Sequence, residues 1–214
     1  MSARTRVKFC GITRAEDARI AIDLGVDAIG LVFVPQSKRF VDLAQAREVL
    51  AAVSPLVSVI GLFMDAEVAQ VAAVLDALPL DALQFHGRES PDYCRQFRRP
   101  YIKALAMGDG VDVVLAASGY AQARGVLLDA HRSGEQGGSG LSFDWSLIPP
   151  ALSDRIILAG GLTPENVAAA ITQVRPYAVD VSSGIESAPG IKCPGRMRHF
   201  MNEVDRAARE SRRD

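Results

Sequence analysis

The amino-acid sequence predicts a single (β/α)8 barrel with a short or irregular sixth helix. First, eight short apolar runs recur along the 214 residues, each followed by a longer stretch with helical spacing. Second, a chain of this length with 49% hydrophobic residues can bury one sizeable core, near the short end of the range for such a barrel. Third, the first strand–helix junction, residues 10–13, lacks the Gly-x-Gly-x-x-Gly cradle of a doubly wound nucleotide fold, which is the main rival architecture.

The predicted strands are near-continuous apolar runs, which suits parallel strands that are covered on both faces. They lie at residues 7–10, 28–34, 57–63, 82–86, 101–106, 125–129, 156–159 and 178–181. Three helix starts carry their own signals. Thr13 with Glu16 is a capping-box pattern, and Ser90-Pro91 and Thr163-Pro164 each place a capping hydroxyl before a first-turn proline.

The sixth unit departs from this alternation. Residues 130–153 contain two prolines and four glycines, the glycines between residues 134 and 140, which leaves room for a short helix around residues 145–148. The long loop would emerge at the carboxyl face, where barrel active sites lie, so we expect a lid or binding loop; a glycine-rich surface linker is the alternative. The polar tail of the single domain 1–214, from about residue 206, is expected to be a solvated, fraying helix end.

Composition and charge argue against several classes of function. Lys and Arg number 24 against 25 for Asp and Glu, so the chain lacks the positive field that nucleic acids or anionic membranes attract. The start of the sequence has no apolar signal region, and no apolar run approaches the roughly 20 residues of a membrane span. Cys10, Cys94 and Cys193 are too scattered for a disulfide framework, and no Cys-x-x-Cys or His cluster indicates a metal site. We expect a soluble cytoplasmic protein with no nucleic-acid or membrane partner.

Two glycine-containing junctions near the end of the sequence predict an anion site. Residues 159–163 follow the seventh strand and residues 182–185 follow the eighth. Glycine lets backbone N–H groups approach a ligand closely, and barrels often bind phosphate at this place. The predicted phosphate-binding residues are Gly160, Gly161, Ser183 and Gly184. The alternative is that the glycines only make tight turns.

Mostly polar side chains recur on one side of four strands, because residues two apart in a strand face the same way. The four pairs are Lys8 and Cys10, Gln84 and His86, Leu127 and Asp129, and Asp180 and Ser182. Polar groups are costly to bury without partners, so such a cluster in the barrel mouth indicates a site. The first and last strands become neighbours on closure, so Lys8 can pair with Asp180, either for structure or for function.

Cys10 and Asp129 form the sharpest candidate pair. A lone strand cysteine is usually a small buried hydrophobe. Cys10, however, ends the first strand and Asp129 ends the sixth, three strands away around a closed barrel, so the two side chains face each other across the mouth. A thiol and a carboxyl so placed can remove a proton on one side and supply one on the other. For this, the thiol pKa has to be lowered and the carboxyl pKa raised by burial and nearby charge.

Arg39 and His86 complete the candidate site. Arg39 follows the second strand, where its guanidinium fork can lie beside a substrate carboxylate or remain a solvated loop charge. His86 ends the fourth strand, where it is either an active-site hydrogen-bond donor or a satisfied core histidine. With no second His near it in the sequence, we do not expect His86 to bind a metal.

Seven segments together resemble the phosphoribosylanthranilate isomerase family over nearly the whole chain. They are KFCGIT at 8–13, SKR at 37–39, QFHG at 84–87, LLD at 127–129, GGSG at 137–140 with FDW at 143–145, LAGGL at 158–162 with Asn166, and DVSSGIE at 180–186. The resemblance implies a cofactor-free barrel enzyme of tryptophan biosynthesis, monomeric or homodimeric, whose substrate is a phosphorylated sugar joined to anthranilate.

The resemblance also implies roles for individual residues. Cys10 matches the general base of the family, Asp129 its general acid and Arg39 the residue that faces the anthranilate carboxylate. The glycine junctions match its phosphate site. We further assign His86 and Asp180 to substrate binding.

Two residues depart from the family pattern. Ser139 stands where the family typically has Thr, which keeps a hydroxyl, and Cys193 stands where an Asp is usual. The second change replaces an acid by a thiol near the loop after the eighth strand. We expect it to loosen a local hydrogen bond and to remove no catalytic group.

Two other functions stay open at this point. Barrels host many reactions, so another sugar-phosphate enzyme, such as an epimerase or a bifunctional histidine and tryptophan isomerase, fits the fold. An epimerase would need metal ligands that the sequence does not offer, and the bifunctional enzymes resemble a pattern with Asp at the position of Cys10. A phosphate-ligand binder without turnover is the other possibility, although competent side chains stand at the positions of Cys10, Asp129 and Arg39.

Overall fold

The structure, a computed structural model, describes residues 4–107, 111–130 and 143–210. Eight parallel strands form a closed barrel in sequence order, and β8 pairs with β1 to complete it. This confirms the predicted fold, and every predicted strand boundary lies within two residues of the observed one. The strands are β1 Arg6–Cys10, β2 Ala28–Val32, β3 Ser58–Phe63, β4 Ala82–Phe85, β5 Tyr101–Ala106, β6 Gly125–Asp129, β7 Ile156–Leu158 and β8 Ala178–Val181.

Helices follow each of the first five strands and the last two, and cover the outside of the barrel. They are α1 Ala15–Asp23, α2 Leu43–Leu50, α3 Val68–Ala77, α4 Pro91–Arg95, α5 Val113–Ser118, α6 Val167–Val174 and α7 Pro194–Glu210. Between β6 and β7 the described residues form two short 3-10 segments, Trp145–Leu147 and Pro150–Arg155. The sixth helix is therefore irregular, as predicted. The glycine loop expected at residues 134–142 lies outside the described residues.

Ser90 caps α4 as predicted, because its hydroxyl accepts a hydrogen bond from the Tyr93 N–H at 3.2 Å. The start expected at Thr163 is wrong in position, since α6 begins at Val167. Thr163 does accept a hydrogen bond from the Glu165 N–H at 3.2 Å, but this bond belongs to a separate turn that precedes the helix. A local cap signal thus marks a turn as readily as a helix.

The capping box expected at Thr13 and Glu16 is also wrong. Helix α1 begins at Ala15, with Arg14 as its N-cap and no side-chain cap. The hydroxyl of Thr13 donates instead to the Gly190 carbonyl at 2.5 Å. A contact with a residue far along the chain therefore replaces the local cap, and a local sequence pattern contains no sign of it.

Apolar side chains close the barrel beneath its mouth. Small and branched residues from alternate strand positions fill the interior, while a larger cluster fills the space between strands and helices. The interior residues are Ala28, Ile60, Ile102, Ala104, Leu127, Ile157, Ala159 and Ala178. This floor leaves the carboxyl ends of the strands as the place where polar groups can gather.

The polar tail expected from about residue 206 is helical as far as Glu210. Ala207 packs into the core, while Arg206 faces solvent and pairs with Glu203 and Glu210. Residues 211–214 lie outside the described part of the chain. No helix in the described ranges is both long and apolar enough to cross a membrane.

A short antiparallel hairpin, β9 Glu186–Ala188 and β10 Ile191–Lys192, lies between β8 and α7. Nothing in the sequence pattern predicts it. Two of its charged side chains, Glu186 and Lys192, are buried. The Lys192 N–H donates to Asp17 Oδ2 at 3.2 Å, which joins the hairpin to α1. The hairpin thereby brings two charges to the end of the barrel where β8 finishes.

Candidate active site

A cavity of about 740 Å³, its open mouth included, lies at the carboxyl ends of the strands. Barrel enzymes bind their small-molecule ligands at this end of the strands. Of the nine predicted site residues, Gly184 alone is absent from its lining. The predicted residues that do line it are Cys10, Arg39, His86, Asp129, Gly160, Gly161, Asp180 and Ser183. The structure therefore brings almost the whole candidate site into one place.

The ion pair predicted between Lys8 and Asp180 is present and buried. Lys8 Nζ lies 2.8 Å from Asp180 Oδ2, and the two side chains are 4% and 6% exposed. Lys8 Nζ also lies near the Cys10 sulfur, because a Cβ atom on Gly30 would be 3.1 Å from the one and 2.8 Å from the other. Burial lowers the pKa of Lys8, but Asp180 and Cys10 together more than reverse this and raise it, so Lys8 stays protonated.

Cys10 ends β1 with 7% of its surface exposed. Burial raises the pKa of its thiol, and the opposing effect of Lys8 does not reverse this. A base requires the opposite direction, so burial works against the lowered thiol pKa that this role needs. Cys10 is therefore a thiol at neutral pH, and thiolate formation needs stabilisation in the course of the reaction.

On the opposite side of the barrel, His86 and Asp129 lie together. His86 Nε2 is 3.3 Å from Asp129 Oδ2, and Gln84 Nε2 is 3.1 Å from His86 Nδ1. All three side chains are buried. The alternation of residues along the strands predicts that all three face inward. Their contact with one another arises because β4 and β6 are separated in the barrel by β5 alone. A titratable ring thus lies directly beside the predicted acid.

Arg39 is not a solvated loop charge. Its side chain is 14% exposed, and its Nε and Nη2 donate to the two carboxylate oxygens of Glu186 at 3.1 and 2.7 Å. Glu186 also accepts a hydrogen bond from Lys192 Nζ at 2.9 Å. We call these three side chains the Arg39–Glu186–Lys192 triad. Sequence reasoning missed the roles of Glu186 and Lys192, and their one sequence signal is closeness to the last glycine junction.

The members of the triad shift one another's pKa values. Burial raises the pKa of Glu186, but the ion pairs with Arg39 and Lys192 outweigh it and hold that pKa below its ordinary range. Burial lowers the pKa of Lys192 in spite of Glu186, whereas the hydrogen bonds to Glu186 raise the pKa of Arg39. With both cations protonated, the triad is net positive, so this end of the cavity can attract an anion.

The two glycine junctions lie side by side at the ends of β7 and β8. Gly160 has φ +79°, and a Cβ atom there would lie 2.4 Å from the Ala130 backbone nitrogen. A Cβ atom on Gly184 would lie 1.9 Å from the Leu162 carbonyl oxygen, so this glycine packs one junction against the other. The N–H groups at the four predicted phosphate positions make no hydrogen bond to another described residue. Those of Gly160, Gly161 and Ser183, which line the cavity, are therefore available to an anion there.

The two departures from the family pattern fall in different places. Ser139 lies outside the described residues. Cys193 directly precedes Pro194, the first residue of α7, and its N–H donates to the Ile185 carbonyl at 2.8 Å. The backbone bond of this loop is therefore formed. What a thiol here lacks, relative to Asp, is a strong acceptor for the first N–H groups of α7.

Comparisons with known proteins all find similarity to phosphoribosylanthranilate isomerases. A family model described as N-(5'phosphoribosyl)anthranilate (PRA) isomerase matches residues 7–203. An N-(5'-phosphoribosyl)anthranilate isomerase of Pseudomonas fluorescens is 56% identical over 204 residues, which cover 95% of this chain and 97% of the relative. The crystal structure of a phosphoribosyl anthranilate isomerase in complex with reduced 1-(o-carboxyphenylamino)-1-deoxyribulose 5-phosphate is similar at a TM-score of 0.82 and 39% identity, covering 94% of this chain and 98% of the other. Monomers generated from the dimeric enzyme of Thermotoga maritima give a TM-score of 0.79 and 37% identity, with coverage of 94% and 98%.

Proposed function

This chain belongs to the N-(5'-phosphoribosyl)anthranilate isomerase family, and we propose that its cavity holds the substrate with Cys10 as general base and Asp129 as general acid. The chain is an isomerase of tryptophan biosynthesis that rearranges N-(5-phosphoribosyl)anthranilate into 1-(2-carboxyphenylamino)-1-deoxyribulose 5-phosphate. One observation carries the residue assignment: Cys10 and Asp129 end strands three positions apart in the barrel and line one cavity.

The reaction begins with acid catalysis at the sugar ring. Asp129 gives its proton to the furanose ring oxygen, the bond between that oxygen and C1′ breaks, and the nitrogen lone pair forms an iminium at C1′. His86 Nε2, 3.3 Å from the Asp129 carboxyl, is close enough to exchange a proton with it. We assign His86 to holding that proton and to binding the substrate beside the ring oxygen.

Base catalysis follows on the other side of the cavity. The iminium makes the proton on C2′ acidic, and the thiolate of Cys10 takes it. The electron pair of the broken C–H bond forms a C1′–C2′ double bond and neutralises the iminium, which gives an enolamine. Tautomerisation of the enolamine gives the ketone at C2′. The substrate nitrogen serves as the electron sink, so the proposed reaction includes no cofactor.

Groups at both ends of the cavity position the substrate. The N–H groups of the glycine junctions hold the phosphate. Arg39 Nη1, which has no partner among the described residues, meets the anthranilate carboxylate. Asp180 Oδ1 is buried and has no hydrogen-bond partner among the described residues. In the proposed complex it accepts a hydrogen bond from a sugar hydroxyl. The reacting carbons then lie between Cys10 and Asp129.

The proposed partners are limited to the small-molecule substrate, without nucleic acid or membrane. We propose a monomer or homodimer, since a solved relative is described as dimeric and monomers have been generated from it. Residues 1–214 are proposed to form a single domain. The cytoplasm is the proposed compartment, where the free thiols of Cys10, Cys94 and Cys193 stay reduced.

A fluorescence assay of turnover tests this function. The anthranilate-type fluorescence of N-(5-phosphoribosyl)anthranilate is expected to fall as the chain consumes it, and to fall at the same rate after treatment with a chelator. The corresponding substrate of histidine biosynthesis is expected to remain unconverted. Binding of a product analogue without any substrate-dependent fluorescence change would contradict the enzyme and favour a phosphate-ligand binder.

A further inference from the structure

Lys8 has no part in the mechanism above, although its ammonium is buried beside the proposed base. Only 3% of Lys8 is exposed. Its Nζ lies 2.8 Å from Asp180 Oδ2, and it also shares the space beside Gly30 with the Cys10 sulfur. A structural ion pair would need the carboxylate of Asp180 but no place beside the sulfur. This second neighbour therefore calls for a different explanation.

The neighbouring strand leaves a gap for this contact. Gly30 of β2 pairs with Cys10 in the sheet register. A Cβ atom on Gly30 would lie 2.8 Å from Cys10 Sγ and 3.1 Å from Lys8 Nζ, so a side chain would push one of these atoms away. Gly30 is not among the glycines with positive φ, so backbone conformation does not demand glycine here. The missing side chain instead makes room for the ammonium beside the sulfur.

Four charged groups surround Cys10. They are Lys8 from β1, Asp180 from β8, Lys192 from β10 and Arg39 from the loop after β2. Lys192 and Arg39 share a counter-ion on β9 and act on the sulfur through space. Of these four, Lys8 shares β1 with Cys10, and its Nζ lies with the sulfur beside Gly30.

We propose that Lys8 is the positioning residue of the base: its ammonium, fixed by Asp180 and admitted by Gly30, stabilises the Cys10 thiolate that takes the substrate proton. This inference rests on the proposed role of Cys10. When Cys10 gives its proton to solvent, the sulfur becomes negative and forms an ion pair with the neighbouring ammonium of Lys8, which stabilises the thiolate relative to the thiol. When Cys10 then gains the C2′ proton, the ammonium returns to a neutral pair with Asp180. Lys8 therefore favours the form of Cys10 that the reaction needs.

Titration of the Cys10 thiol tests the inference without substrate. The full chain is labelled with iodoacetamide over a range of pH, and peptide mass spectrometry reports Cys10 separately. Burial raises the pKa of Cys94 to about 12, so Cys94 stays unlabelled. Lys8→Met removes the charge at similar length and is expected to move the labelling midpoint of Cys10 upward by about one pH unit or more. Lys38→Met removes an exposed lysine and is the matched control, with an unchanged midpoint.

Two further measurements make the test specific. In Lys8→Met, the acidic limb of the pH profile of kcat/KM is expected to move to higher pH together with the labelling midpoint of the thiol. Lys8→Arg keeps the positive charge and is expected to bring both values most of the way back to those of the unchanged chain. Should Lys8→Met fail to fold, Gly30→Ala tests the same contact, because its Cβ atom displaces the ammonium or the sulfur. An unchanged Cys10 midpoint in a folded Lys8→Met or Gly30→Ala protein overturns the inference. Normal turnover of Cys10→Ala overturns the proposed base itself. This outcome is distinct from failure of the Lys8 inference, because the labelling experiment measures the Cys10 thiol without substrate or turnover.

Discussion

Glu186 holds the guanidinium of Arg39 in a two-point ion pair, with N···O distances of 3.1 and 2.7 Å. This fixes the plane of the guanidinium and leaves Nη1 as the donor that we propose for the substrate carboxylate. Lys192 Nζ contacts the same Oε1 of Glu186 as Arg39 Nε and restores the positive charge that Glu186 would otherwise cancel. The proposed recognition of the carboxylate therefore depends on the orientation that Glu186 imposes as well as on the charge of Arg39.

Glu186→Gln should raise KM about tenfold and change kcat little, since about one charge-assisted hydrogen bond that orients Arg39 is lost. Steady-state kinetics measure both constants. Ser187→Ala, an exposed change on the same hairpin, serves as the control. An unchanged or lowered KM in Glu186→Gln would show that charge alone governs recognition of the carboxylate.

Glu186 also links stability to pH. Burial raises its pKa, but Arg39 and Lys192 hold the folded-state pKa below the ordinary value, so the ionised carboxylate stabilises the folded chain at neutral pH. That contribution is lost as the pH falls below about 4.3 toward the lower folded-state pKa. The urea midpoint of unfolding should therefore fall less steeply on acidification in Glu186→Gln than in the unchanged chain. Equal slopes would contradict the ion-pair explanation.

Cys10→Ala and Asp129→Asn should each lower kcat by at least about 100-fold, the size typical of a general acid or base. Cys193→Ser is the matched thiol control, because Cys193 is not part of the cavity lining, and it should keep turnover within about twofold. Near-normal kcat in either active-site variant would refute the role of that residue. Circular dichroism of each variant establishes that it is folded.

Gly160→Ala and Gly25→Ala separate backbone strain from damage to the phosphate site. Their φ angles are +79° and +83°, so backbone strain should cost each alanine variant about 1 kcal/mol of unfolding free energy, and the close contacts of the new Cβ atom should add to this cost at Gly160 alone. No heavy atom lies within 4 Å of a Cβ on Gly25, whereas a Cβ on Gly160 meets Ala130 N at 2.4 Å and Asp129 Oδ1 at 3.0 Å. We expect Gly160→Ala alone to lower kcat/KM, by about tenfold or more, and to weaken inhibition by inorganic phosphate. Equal kinetics in the two variants would argue against a phosphate site here.

Lys103 and Glu89 form a buried ion pair at 3.1 Å that does not line the cavity. Lys103→Met leaves the Glu89 carboxylate without its cation and should lower the unfolding free energy by about 3–5 kcal/mol. Adding Glu89→Gln should recover much of that loss, while kcat of the folded variants stays unchanged. A double-mutant cycle by urea denaturation measures the coupling, and additive effects would mean that the pair contributes nothing of its own.

The barrel and most of its site could be predicted because they depend on regular geometry. Cys10, His86, Asp129 and Asp180 lie at or next to strand ends on inward faces, and a closed parallel barrel gathers such positions at one end whatever the loops do. The pairing of Lys8 with Asp180 followed from the same closure. The two-residue period of a strand and the closure of the barrel are properties of the fold, so the sequence pattern was enough to predict these positions and this ion pair.

The rest depended on contacts that no period encodes. Glu186 and Lys192 lie on a hairpin whose strands are three and two residues long, too short for any alternation to be recognised. Thr13 bonds a carbonyl 177 residues away in place of its own helix. The direction of the Cys10 pKa depends on the balance between burial and several charges, which only their positions in space determine.

Lys8 and Asp180 are 172 residues apart in the sequence. Their ion pair joins β1 and β8, the two strands whose pairing closes the barrel. During synthesis β1 leaves the ribosome long before β8, and closing so long a loop comes late in folding. Until β8 docks, Cys10 has no anchored ammonium beside it and no water-excluding wall on that side. We therefore expect a nascent chain to lack the complete cavity until β8 has docked, because Asp180 and the residues after it form part of the lining.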